Sequence, residues 1–189
     1  MKTALHQGLD EGLTVNEIKE VLVQLYAYTG FPRSLNAIYT FMAVMDERQA
    51  KGIKDEVGKE ASPVPENLDR NEYGAKVRAQ LAGQDRVPPA SGYQLFTPVM
   101  DTFLNEHLFA DIFARDILDF QTRELTTISA LAAMSGTASQ LQFHLGAAMN
   151  MGLTEAQMKG FVSVISEKVG KTEGSTAGSL LERVLAARK

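Results

Sequence analysis

Apolar residues recur along most of this chain at helical spacing, and polar caps punctuate them. Thr14-Val15-Asn16-Glu17 forms a capping-box sequence, followed by Ile18, Val21, Leu22 and Leu25 on one stripe that Tyr28 extends. Gly30 supplies a stop and Pro32 opens the next helix, which presents Leu35, Ile38, Met42 and Met45 on one face. Nearer the other end, Asp119 is an N-cap for a helix carrying Leu125, Ile128, Leu131 and Ala132, ended by Gly136. Thr137-Ala138-Ser139-Gln140 reads as a second capping box, before a helix with Leu141, His144, Leu145 and Ala148. Gly152 ends that helix and Thr154-Glu155-Ala156-Gln157 starts another. Lys-Gly, Ser-Pro-Val-Pro and Val-Pro-Pro mark residues 51–92 as a surface linker, with one helix from about Asp69 to Leu81 through Tyr73, Val77 and Leu81. A further helical region covers Gln94 to Phe113, with Leu95, Val99, Phe103 and Leu104 as its buried face. No segment alternates with a period of two, so the fold is expected to be all-α.

The punctuation repeats at an offset of 140 residues: Leu5, Gly12, Leu13, Thr14, Lys19, Gly30 and Ala37 recur as Leu145, Gly152, Leu153, Thr154, Lys159, Gly170 and Ala177. The chain thus divides into a first repeat over 1–50, N-terminally incomplete, the linker over 51–92, and a second repeat over 93–189. The tail SEKVGKTEGSTAG of the second copy has lost the counterpart of YAYTGFPRSLNAI. One complete module would need residues 13–45 together with 95–154, and these blocks are expected to share one core, since each alone leaves an apolar stripe uncovered. Beginning within a module, the chain is also expected to have an upstream segment missing.

Composition narrows the function. The net charge of −4 and pI near 5.4 argue against a nucleic-acid or membrane-surface footprint. There is no apolar run of the roughly 18 residues that a membrane span needs. The absence of cysteine excludes disulfides, thiolate metal sites and thiol redox catalysis, and the cytoplasm is the default location. Three histidines with scattered carboxylates show no metal-ligand spacing, and no Gly-rich phosphate loop or GxSxG element occurs. No metal and no cofactor is expected.

Two blocks resemble the carboxymuconolactone decarboxylase family of the alkylhydroperoxidase D-like superfold. FLNEHLFADIFARDILDFQTRELTTISALAAMSGTASQLQFHLGAAMNMGLTEAQM is similar to the family's first helices, with RxLxTIxxLxAxxG and QLxxHxxxAxNxGLT features. EGLTVNEIKEVLVQLYAYTGFPRSLNAI resembles its closing segment. The resemblance implies an all-α bundle built from two incomplete repeats, homo-oligomers that are typically trimers or hexamers, and sites between helices. The peroxidase branch uses a CxxC pair, so its chemistry does not carry over to this cysteine-free chain. The decarboxylase branch has the histidine matched by His144 and acts on a carboxylated lactone. That branch often has Ser after the Arg, where this chain has Glu124.

Glu124 and His144 fall on inward-facing positions of the 119–150 hairpin and are the candidate acid–base pair. A lone helical His in an apolar stripe is more often a core residue; the resemblance reverses that weighting. With the turn placed at Gly136–Thr137, the position facing Glu124 is near Met149, an axial offset from His144 of about 7–8 Å that side chains or one water must bridge. Arg123 could pair with a substrate carboxylate, although arginines at helix starts usually face solvent. Tyr28, Phe31 and Asn36 are candidate pocket walls, Tyr28 and Phe31 being equally plausible as core. His107, beside Glu106 and before Phe109 and Phe113, is expected at the surface, with pocket lining second. His6 aligns with Gly146, and Ala4 takes the His144 position, so the first copy is catalytically empty. The expected function is proton transfer on a small carboxylated lactone or aromatic-derived acid. A non-catalytic oligomeric binding or scaffold protein is the alternative.

Overall fold

Side-chain caps set where the helices start. In the computed structural model, which describes residues 1–188, Thr14 holds an extended backbone (φ −77°, ψ 159°). Its hydroxyl accepts the Glu17 N–H at 3.2 Å while Glu17 accepts the Thr14 N–H at 2.8 Å. Thr154 repeats this with φ −76° and ψ 159°, and with Gln157 in place of Glu17. The described residues form ten α-helices and one π-helical segment, with no strand. None of the helices is long and apolar enough to cross a membrane.

The chain divides into two compact units, Met1–Pro63 with Arg115–Leu118, and Val64–Ala114 with Asp119–Lys189. Residues 13–45 and 119–154 were expected to share one core; they belong to different compact units.

The first unit contains α1 (Lys2–Asp10), α2 (Val15–Thr29) and α3 (Phe31–Ala50). Leu5, Leu9, Ile18, Leu22, Phe41 and Val44 supply its core, with Ile38 and Met45 partly buried against them. Leu35 and Met42, assigned to the same inward face, are exposed and continue a ridge with Phe31 and Tyr39. The first part of the linker is not a free strand of chain. Val15 and Asn16, at the start of α2, donate backbone N–H groups to Glu56 and Val57 carbonyls, both at 2.9 Å. Arg48 also grips it, donating to Asp55 at 2.7–3.0 Å and to Asp10 at 2.8 Å.

Hydrogen bonding from Arg48 holds the Asp55 carboxyl below its ordinary value against the opposing effect of burial. A carboxylate with a depressed folded pKa stabilises the fold above its unfolded pKa of about 3.9, and that stabilisation is lost as pH falls through the folded value. Urea unfolding should therefore find Asp55→Asn less stable than wild type at pH 7. The gap should narrow as the pH drops below about 4; a gap independent of pH would contradict the ion-pair account.

The second unit contains α4 (Arg70–Leu81), α5 (Tyr93–Phe96), α6 (Pro98–Thr102), the π-helical segment Phe103–Ile112, α7 (Phe120–Ala132), α8 (Ala138–Asn150), α9 (Glu155–Lys168) and α10 (Lys171–Ala187). Helices α7 and α8 form one hairpin and α9 and α10 another, with α10 also packed on α8. The region 94–113 departs from the single helix expected. Gly92 and Pro98 delimit two short helices, and the wider π turn, with its i→i+5 bonds, shifts the buried positions to Asn105, Leu108, Phe109, Ala110 and Ile112. Leu95, Val99 and Phe103, expected inside, are exposed.

Helix α4 approaches this segment so closely that a Cβ on Gly74 would lie 1.9 Å from the Asn105 carbonyl oxygen. Backbone cannot yield as a flexible side chain can, so Gly74→Ala is expected to destabilise the protein by at least the roughly 1–3 kcal/mol of ordinary overpacking. Thermal melting would detect this; an unchanged midpoint would contradict the close approach.

The offset of 140 residues recurs in the helix starts. Helices α2 and α9 begin at Val15 and Glu155, and α3 and α10 at Phe31 and Lys171, each pair offset by 140 residues. Gly12 and Gly152, before the matching caps, share a positive φ of 98° and 104°. The tail that lost the YAYTGFPRSLNAI motif has nevertheless kept its helix. Ala177, Leu180, Leu181 and Val184 bury the inner face of α10, so the second unit closes with its own α9–α10 hairpin.

Candidate active site

The pair at the centre of the second unit is set by how α7 ends. Asp119 accepts the Thr122 N–H at 2.8 Å and starts that helix. Ala132 is its last residue, and a turn over residues 133–137, with Gly136 at φ +80°, leads to α8. Thr137 does not form the expected capping box. Its φ of −111° and ψ of 16° turn the hydroxyl back to donate to the Leu131 and Met134 carbonyls, at 2.8 and 3.2 Å. Because the turn starts at Ala133, its midpoint lies near residue 135 and Glu124 faces residue 146, only two positions from His144. At about 1.5 Å per residue the offset is about 3 Å, not about 7–8 Å. Glu124 therefore reaches His144 directly, its Oε2 lying 2.7 Å from Nδ1.

Both partners are buried, Glu124 at 0% exposure and His144 at 7%. A carboxylate only accepts, so the imidazole donates Nδ1–H to it, which assigns the tautomer with the basic lone pair on Nε2. The second carboxylate oxygen, Glu124 Oε1, is buried with no hydrogen-bond partner among the described residues. Such a group carries a desolvation cost unless a donor reaches it. The Phe143 ring stands edge-on to His144, with centroids 5.1 Å apart.

Arg123, which helix-start statistics would put in solvent, is fully buried. Its guanidinium lies 5.4 Å above the Phe113 ring, and that ring packs between Phe109 and Phe120, a cation–π arrangement that covers the cation with aromatic carbon. Leu125, expected in the apolar stripe of α7, is 39% exposed; Arg123, Glu124 and Thr127 occupy the interior with Ile128 and Leu131.

The other candidates are dispersed. His107 is exposed on the π-helical segment, 3.0 Å from Asp111. Tyr28, Phe31 and Asn36 belong to the first unit. There Tyr28 is half-buried, Phe31 stacks on Tyr26 at 4.4 Å while remaining exposed, and Asn36 is exposed. Two buried charges, Arg48 and Glu20, escaped the sequence reading. Glu20 is 1% exposed and accepts from Arg115 Nε at 3.0 and 3.1 Å. Its signal was the second glutamate of EIKE, which the helical pattern alone files as a solvated position. No group of three or more His, Asp or Glu residues could hold a metal ion among the described residues.

Residues 98–168, which include both Glu124 and His144, match the model of the carboxymuconolactone decarboxylase family. The chain is also similar to a 4-carboxymuconolactone decarboxylase from Acinetobacter baylyi, 27% identical over 116 residues, which are 61% of this chain and 86% of that protein. Residues 98–168 therefore carry a likeness to the carboxymuconolactone decarboxylase family, in a chain that has no cysteine.

Proposed function

We propose that the protein is a decarboxylase-like enzyme that moves a proton between His144 and a small carboxylated lactone or related aromatic-derived acid. The observation that carries this reading is the 2.7 Å contact between His144 Nδ1 and a fully buried carboxylate. A carboxylate on one ring nitrogen orients the imidazole and stabilises its protonated form, and the opposite nitrogen is assigned the proton exchange with substrate. In decarboxylation the bond from carbon to the carboxylate breaks, CO₂ leaves, and the electron pair spreads into the lactone carbonyl. One proton delivered to carbon completes the reaction, and His144 is its donor. In this reading Glu124 Oε1, which lacks a partner among the described residues, accepts a hydrogen bond from bound substrate, and Arg123 supplies a fixed positive charge one residue away. Tyr28, Phe31, Asn36 and His107 enter as substrate-contacting candidates only. The chemistry calls for no cofactor, and the cytoplasm is its expected setting. The test is CO₂ release from 4-carboxymuconolactone by the purified chain, with a hydroperoxide and dithiol assay as the negative control. Failure to release CO₂ would favour the scaffold reading.

We also propose a homo-oligomer, a trimer or hexamer, with more than about 1,000 Å² buried per contact. The support is the run Leu95, Phe96, Val99 and Phe103, all exposed, with Phe96 at 91%. Contiguous apolar surface of this kind marks an interface. Light scattering at micromolar concentration should report the oligomer for wild type and a smaller species for Phe96→Asp. A wild-type monomer would contradict the proposal.

A further inference from the structure

Between α8, α10 and the end of α4 the second unit carries a groove of about 520 Å³, within the range of small-molecule sites. Its floor is apolar: Leu81, Ala147 and Val184 are all buried. Phe143 forms one wall and is 47% exposed there. Two guanidinium groups, Arg183 and Arg188, stand on α10 and at its end. Arg188 is oriented: it donates to Asn150 Oδ1 at 2.7 Å, and Asn150 in turn donates to the Leu81 carbonyl at 2.8 Å. Among the described residues Arg183 has no hydrogen-bond or ion-pair partner and no carboxylate lines the groove. In a chain with net charge −4, this local excess of two positive charges over an apolar floor selects for an anion with an apolar body. His144 is not among the lining residues.

We propose that this groove binds a small amphipathic carboxylate, with the carboxylate on Arg183 and Arg188 and the apolar part against Phe143, Leu81 and Val184, separately from the Glu124–His144 pair. Guanidinium binds carboxylate through paired, charge-assisted hydrogen bonds, and the exposed ring face offers a stacking surface. The site stands whether or not the chain is a decarboxylase, since its ligand need not react.

The test is an amide NMR titration of the full chain with benzoate, and with benzamide as its neutral counterpart. Benzoate should shift the resonances of Leu81, Phe143 and Val184 saturably, and benzamide should bind more weakly. Arg183→Gln and Arg188→Gln should each weaken benzoate binding roughly tenfold or more, the loss of a hydrogen bond to a charged group. His144→Gln should leave that affinity in place, which separates this site from the proposed catalytic pair. The proposal is overturned by equal binding of benzoate and benzamide, by unchanged affinity in the arginine variants, or by loss of binding in His144→Gln. No saturable binding into the millimolar range would overturn it too, as would shifts in the same residues that follow protein concentration without ligand, which would assign the groove to a second copy of the chain.

Discussion

Replacing His144 by alanine is expected to lower turnover of a carboxylated lactone by about 10²- to 10⁴-fold, the contribution of a positioned general acid or base. The fold should survive. His144 packs at the edge of Phe143 and bonds to Glu124, while the α7–α8 hairpin is held mainly by Ile128, Leu131, Leu141 and Leu145, all buried. The substitution does leave the Glu124 carboxylate buried without its donor, so some loss of thermal stability accompanies the loss of rate. Far-UV circular dichroism and melting separate the two effects. A variant that is folded at the assay temperature but retains full activity would remove His144 from the mechanism.

Glu124→Gln is expected to be the second most damaging change, because the carboxylate does two things that an amide does not. It accepts only, so it fixes the proton on Nδ1, and it carries the charge that stabilises an imidazolium. An amide of the same shape can present either its oxygen or its NH₂ to Nδ1 and therefore no longer selects one tautomer. Partners that orient a working histidine typically contribute about 10- to 100-fold. The loss should fall on kcat more than on KM, since the group acts on the proton carrier. Glu124→Ala should cost more stability than Glu124→Gln, and recovery of packing without recovery of rate in the glutamine variant would separate positioning from filling space. If Glu124→Gln matches wild type in kcat, the pair is structural.

Much of this was legible in the residues. The caps at Thr14, Asp119 and Thr154 form as their sequences require, because a hydroxyl or carboxylate three residues before a free N–H needs only local geometry. Glu124 and His144 were legible as inward-facing, but their direct contact was not. Helical spacing fixes which face a residue occupies, whereas the partner across a hairpin depends on where the turn begins, and a three-residue difference moved the expected offset by about 4–5 Å. Thr137 illustrates the same limit: its sequence matches a capping box, but the preceding turn presents its hydroxyl to carbonyls instead.

The region 94–113 was misread for a different cause. Breaks at Gly92 and Pro98, followed by a π turn from Phe103, interrupt the single helical period on which the choice of Leu95, Val99 and Phe103 rested. The burial of Arg123 and Glu20 ran against the ordinary placement of charged residues at the surface; their tertiary partners, among them aromatic rings for one and Arg115 for the other, make it tolerable. In the C-terminal tail a motif vanished while Ala177, Leu181 and Val184 kept the apolar stripe, and it is the stripe that maintains a helix in place.

The most direct test of the proton-transfer claim is turnover of 4-carboxymuconolactone in D₂O, followed by mass analysis of the product and by CO₂ release. Wild type is expected to release CO₂ and to give product carrying one deuteron on a ring carbon of the lactone, with both signals reduced by at least about 10²-fold in His144→Ala. Wild-type protein that is folded and releases no CO₂ above the uncatalysed rate would contradict the claim, as would deuterated product formed equally fast without His144.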